Sequence, residues 1–143
     1  MAIYNEVKLQ QTFIGKLEHG GDLLEELTAV CKEKKVSLGR VEAIGAVQKA
    51  RVGFYDQTKR EYGFSEIDEQ LEITSLIGNV SMRDGEPMIH AHITLADSED
   101  KCFGGHLASG TIIFACEFVL NTYNGPEYSR GYDEQTGLPL WKM

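Results

Sequence analysis

The chain has 143 residues, of which 42% are hydrophobic and 25% charged, and a formal net charge of −8. That length and balance suit one globular domain, residues 1–143, large enough to bury its own core, and exclude a disordered or low-complexity chain. The acidic surplus argues against direct DNA binding, which draws most of its affinity from Lys and Arg on phosphates.

Thr12 to Leu17 alternates like a first strand. After Gly20-Gly21, Asp22 followed by Glu25 makes a helix start, and Leu23, Leu27, Val30 and Cys31 share a face, which predicts a helix over 22–34. Lys32 to Lys35, the densest basic run and interrupted by Glu33, closes that helix, where its dipole favours cations. Arg40 to Ala46 and Gln48 to Tyr55 read as two strands, and Asp56-Gln57-Thr58-Lys59 as a turn into a strand from Arg60 to Phe64. Gln70 to Met82 reads as a long strand broken at Gly78-Asn79, followed by a tight turn at Asp84-Gly85. Met88 to Ala96 and Thr111 to Tyr123 are the most apolar strands, with Gly104-Gly105-His106 on a loop between them. Turn signals at Asp133 and Gly137 precede a short apolar end, Leu138 to Trp141. The fold class is therefore α+β: mostly antiparallel β-sheet with few helices. One amphipathic helix cannot cover both faces of such a sheet, so an oligomer is expected.

No basic-then-apolar leader opens the sequence, and no stretch reaches the length of a membrane span, so the expected compartment is the cytoplasm. Cys31, Cys102 and Cys116 form no C-x-x-C pair and read as reduced core thiols.

Three of the four histidines fall in the pattern His90-x-His92-x13-His106. Alternate residues of a strand share a face, so His90 and His92 project side by side, about 7 Å apart at the backbone. The opposite face, Ile89, Ala91, Ile93 and Leu95, is apolar and belongs to the core. Gly104 and Gly105 allow the backbone carrying His106 to approach closely. Three imidazoles with a free fourth position describe a catalytic rather than a sealed metal site. The spacing alone is equally compatible with unrelated polar residues near a sheet edge. His19 reads as a turn residue. Glu117 interrupts an apolar strand and is the candidate fourth ligand or general base, or else an outward-facing residue. Glu72 is a second acid or base candidate, Arg83 a candidate carboxylate clamp, and Asn79 the occupant of a bulge.

The segments Leu71-Glu72-Ile73-Thr74-Ser75-Leu76-Ile77-Gly78-Asn79-Val80-Ser81, Asp84-Gly85-Glu86-Pro87-x-x-His90-x-His92, Leu95-Ala96-Asp97 and Gly104-Gly105-His106-Leu107-x-x-Gly110 resemble the plants-and-prokaryotes conserved (PPC) domain. Gly53-Phe54-Tyr55-Asp56 and Gly137-Leu138-Pro139-Leu140 extend the resemblance over nearly the whole chain. The resemblance implies an antiparallel α+β sandwich, a homotrimer and, as in prokaryotic members, a divalent metal on His90, His92 and His106. Zinc is the expected ion, although nickel, cobalt or iron also suit such ligands. Plant members lack these histidines, and Gln70-Leu71-Glu72-Ile73 stands where they show Gly-Arg-Phe-Glu-Ile-Leu. The fold is also similar to that of acetolactate decarboxylase, which holds zinc through a comparable histidine set. Three functions follow as alternatives: a regulatory module labelled DNA-binding through its plant relatives, a metal-dependent enzyme on a small carbonyl or carboxylate compound, or a purely structural metal site.

Overall fold

A computed structural model describes residues 1–143. The strands are β1 (Lys8–Leu17), β2 (Gly39–Asp56), β3 (Glu61–Ile67), β4 (Leu71–Arg83), β5 (Glu86–Ala96), β6 (Cys102–Leu107), β7 (Ile112–Asn124), β8 (Arg130–Tyr132) and β9 (Pro139–Trp141), with one helix, α1 (Leu23–Glu33). The main sheet is antiparallel in the order β1-β7-β2-β4-β5-β6, with β3 on β2. The far half of β2 also meets β6 at Val52 and Gly53, so β2, β4, β5 and β6 close into a ring. The result is the expected mostly antiparallel α+β fold, its layers continuous through β2.

That continuity differs from the two strands read at 40–55. The inward residues of β2 are Val41, Ala43 and Val47, then Ala50 and Val52, so the alternation slips by one position. The slip is a bulge: the register to β7 shifts between Val47 and Lys49, and that to β4 between Ala43 and Gly45. A bulge bends a strand without ending it, and β2 thereby passes from one half of the sheet to the other. In β4 the chain runs unbroken through Gly78-Asn79, and the phase change lies instead between Ile73 and Ser75. Asp84 and Gly85 both take positive φ, 53° and 80°, as a tight hairpin turn requires.

Helix α1 is capped by Asp22, whose carboxylate accepts from the backbone N–H groups of Leu24 and Glu25. It buries Leu23, Leu27 and Cys31 against the concave side of the sheet. There it meets the inward residues of β5, Ile89, Ala91, Ile93 and Leu95, which are at most 5% exposed. Each fully buried Leu or Ile contributes about 1.5–3 kcal/mol of burial free energy. The outer face has no such cover: Ile14, Ile44, Ile77 and Phe114 are more than half exposed.

The chain end forms a hairpin, β8–β9, clasped by the β2–β3 turn. The Tyr55 hydroxyl donates to the Thr136 carbonyl at 2.8 Å, and the Arg60 guanidinium donates to the Glu134 and Gln135 carbonyls. Cys31 and Cys116 are buried thiols, pushed up to about 12 and about 11, chiefly by burial. Cys102 departs from the expectation: it opens β6 at the sheet margin and is exposed.

Candidate metal centre

The closed ring of strands brings the three histidines together. His90 lies opposite Asn79 of β4, and His92 lies opposite both Ile77 of β4 and His106 of β6. Gly104-Gly105-His106 is therefore strand rather than loop. The glycines make that pairing possible: a Cβ on Gly104 would stand 2.0 Å from the Ile93 carbonyl oxygen, and one on Gly105 would stand 2.7 Å from that of Gly53. Without side chains there, β6 fits between β5 and β2 and carries His106 to its partners.

The ring centroids are 5.3 Å apart for His90–His92, 5.1 Å for His90–His106 and 5.7 Å for His92–His106. One ligand nitrogen from each lies within 4.8 Å of the others. Around a tetrahedral ion with bonds of about 2.0–2.1 Å, ligand atoms stand roughly 3.4 Å apart, which small side-chain rotations supply. The chemistry of the site supports the fit. His106 Nδ1 is buried without a hydrogen-bond partner, the sole buried side-chain nitrogen or oxygen so left. Such an orphan costs free energy unless something coordinates it.

The electrostatics favour neutral imidazoles, the ligating form. Burial first, then Arg130, then the other two histidines hold His90 down to about 4. Burial, then His92 and Arg130, lower His106. With His90 neutral in the folded chain and protonated in the unfolded chain between pH 6.5 and about 4, the unfolded state binds more protons in that window. Metal-free protein is thus expected to keep full stability above pH 6.5 and to lose about 1–2 kcal/mol as pH falls toward 4, after discounting for partial exposure. Urea titrations of His90→Gln along the same pH series should show that slope flattened; an unchanged slope would assign it elsewhere.

Other predicted residues lie apart. Glu117 is exposed on β7, opposite Lys16 and Ile44, three strands from His92 in the sheet order. At about 4.8 Å per strand that is roughly 14 Å within one chain. Glu72 pairs with Ala96, four residues along β5 from His92. Arg83 stands at the hairpin tip with Nε 3.7 Å from Asp84 Oδ2. His19 sits in a turn and bonds the Phe114 carbonyl and Gln48. Asn79 occupies a regular register position rather than a bulge.

Two residues beside the histidines escaped the sequence reading. Tyr62 of β3 lays its ring 5.0 Å from that of His106, and burial raises its hydroxyl pKa. Arg130 of β8 reaches across from the terminal hairpin. Its Nε donates to Ser81 Oγ at 2.8 Å, one terminal nitrogen to Asn79 Oδ1 at 2.8 Å, and the other to the Pro139 carbonyl at 3.0 Å. No local spacing signals a contact 51 residues long.

Known proteins share this architecture. A metal-containing protein from Archaeoglobus fulgidus is 40% identical over the full length of both chains, with a TM-score of 0.94. A plant- and prokaryote-conserved protein from Pyrococcus horikoshii is 31% identical over 99% of this chain and 98% of its own, with a TM-score of 0.93. The bifunctional protein GlmU of a Synechococcus strain is 36% identical over 126 residues; the match takes in 85% of this chain and 18% of that much longer protein. The α-acetolactate decarboxylase of Bacillus subtilis shares the fold alone, at 11% identity and a TM-score of 0.57 over 87% of this chain and 57% of its own. Residues 4–124 match the Plants and Prokaryotes Conserved (PCC) domain model, and the chain belongs to that family.

Proposed function

We propose that this chain is a homotrimeric metalloprotein that holds one zinc ion on His90, His92 and His106 and offers the ion's free position to a small carbonyl or carboxylate compound. The convergence of three imidazoles, one of which keeps a buried ring nitrogen without a partner, carries the reading. Nitrogen ligands suit zinc, and three of them leave one tetrahedral position free. An ion bound there supplies Lewis-acid polarisation of a ligand oxygen or a lowered pKa for a bound water. The metal-containing relative from A. fulgidus supports the ion. Within one chain Glu117 is too distant to move a proton at the ion, so its role as acid or base needs the assembled trimer. The expected compartment is the cytoplasm; no helix is long and apolar enough to cross a membrane.

Metal analysis of protein purified without chelator or nickel resin tests the site. About one zinc per wild-type chain and almost none in His92→Ala is the expected result. Equal metal in both proteins, or none in either, would overturn it. The regulatory reading keeps the trimer and the metal but adds DNA-bound partners. With a net charge of −8 the chain is expected to give no shift of duplex DNA at physiological salt.

A further inference from the structure

The charges around the histidines do not balance. The cluster contains no Asp or Glu. Arg130 adds a half-buried cation beside it, and none of the six ion pairs in the structure involves Arg130. Its three hydrogen bonds all go to neutral oxygens, of Ser81, Asn79 and Pro139. Buried or half-buried cations are ordinarily paired, because an unmatched charge forfeits hydration without return.

The guanidinium is also held in place. Asn79, which accepts from it, stands directly opposite His90 in the β4–β5 ladder, so imidazole and guanidinium are separated by one side chain. Ser81, its second anchor, is fully buried. Trp141 lies 5.7 Å from the guanidinium carbon and stacks on Tyr128. Asn79, His90, Arg130, Leu140 and Trp141 line one cavity of about 330 Å³. Of the five N–H donors of a guanidinium, three are used here, which leaves one on each terminal nitrogen. That remaining pair matches the two oxygens of a carboxylate.

We propose that Arg130 is the anion-recognition residue of the metal centre, and that the ligand is a small dianion with one carboxylate on the ion and a second on Arg130. The proposal rests on the metal reading above and adds its ligand class. It moves the clamp from Arg83, which has its own partner in Asp84, to a residue outside the 4–124 block that carries the family match.

Cobalt(II)-loaded protein allows the test, because ligand entry changes the visible spectrum of the ion. Fumarate is the dianion, because its trans carboxylates cannot both reach one ion; acetate carries a single carboxylate, and imidazole is a neutral ligand for the metal. Wild-type protein is expected to bind fumarate at least about tenfold more tightly than acetate, the gain of one charge-assisted hydrogen-bonded pair. In Arg130→Met that preference should vanish while imidazole affinity stays within about twofold; Arg130→Lys should restore part of it. The imidazole titration and the cobalt content report whether each variant retains a folded site. The comparison of fumarate with acetate on wild-type protein stands without any variant. Equal affinities for the two acids, or a fumarate preference that survives in Arg130→Met, would overturn the proposal and leave the metal site standing. Failure of wild-type protein to take up cobalt would overturn the metal reading itself, before any anion is added.

Discussion

Chelation of the metal at neutral pH is expected to lower the melting temperature of the wild-type protein by about 10 °C. The ion binds the folded chain, because only there do strands β5 and β6 place His92 opposite His106. With free metal about a thousandfold above its dissociation constant, linkage supplies about 4 kcal/mol. In a domain of this size each kcal/mol moves the transition by about 3 °C. His106→Ala removes a ligand and the orphaned Nδ1 together, so it should melt at the same temperature with and without chelator. Calorimetry of the two proteins, each with excess zinc and then with chelator, measures both shifts. An equal response in wild type and variant would place the stabilising ion elsewhere.

The parts of this site visible in the sequence are those governed by short-range periodicity. His90 and His92 announce their shared face because Ile89, Ala91, Ile93 and Leu95 occupy the other, and the structure keeps that alternation without a slip. The cap at Asp22 and the turn at Asp84-Gly85 are equally local. The reading fails where a strand changes phase. The bulge in β2 shifts the inward set by one residue, which in sequence looks like two strands, and in β4 the phase change between Ile73 and Ser75 carries no signal while the regular Gly78-Asn79 pair looks like a break. Glycine misleads in a related way. Gly104-Gly105 has loop composition, yet the glycines serve close backbone contact inside a strand pairing. Arg130 lies beyond local reasoning altogether, since its anchors Asn79 and Ser81 belong to an element four strands earlier and only the folded terminal hairpin joins them.

Ile44→Asp is expected to dissociate the proposed trimer while leaving the metal site intact. Helix α1 covers the concave face of the sheet, and the outer face keeps Ile14 at 80%, Ile44 at 59% and Ile77 at 52% exposure. With Val119 these side chains line a groove of about 410 Å³ across β1, β7, β2 and β4. These branched aliphatic side chains share the groove with Glu42, which lies between Val119 and Ile77 in the ladders, and with Glu117, which lies opposite Ile44; an exposed apolar group of this size is suited to a subunit contact. A carboxylate placed among them costs little in a lone chain, because position 44 is open to solvent there. In an assembled interface it must be stripped of water beside the carboxylate of Glu117, its neighbour in the β2–β7 ladder, a penalty of several kcal/mol at each copy. At about 10 μM protein that penalty moves the equilibrium from trimer to monomer. Light scattering should then fall from the mass of three chains of 16.0 kDa to that of one. The three histidines come from one chain, so zinc content per chain should not change. A variant that stays trimeric would place the contact on another surface. Loss of zinc together with the trimer would show instead that the metal centre is completed by a neighbouring chain, and would bring Glu117, three strands from the histidines in its own chain, back toward an ion held by another copy.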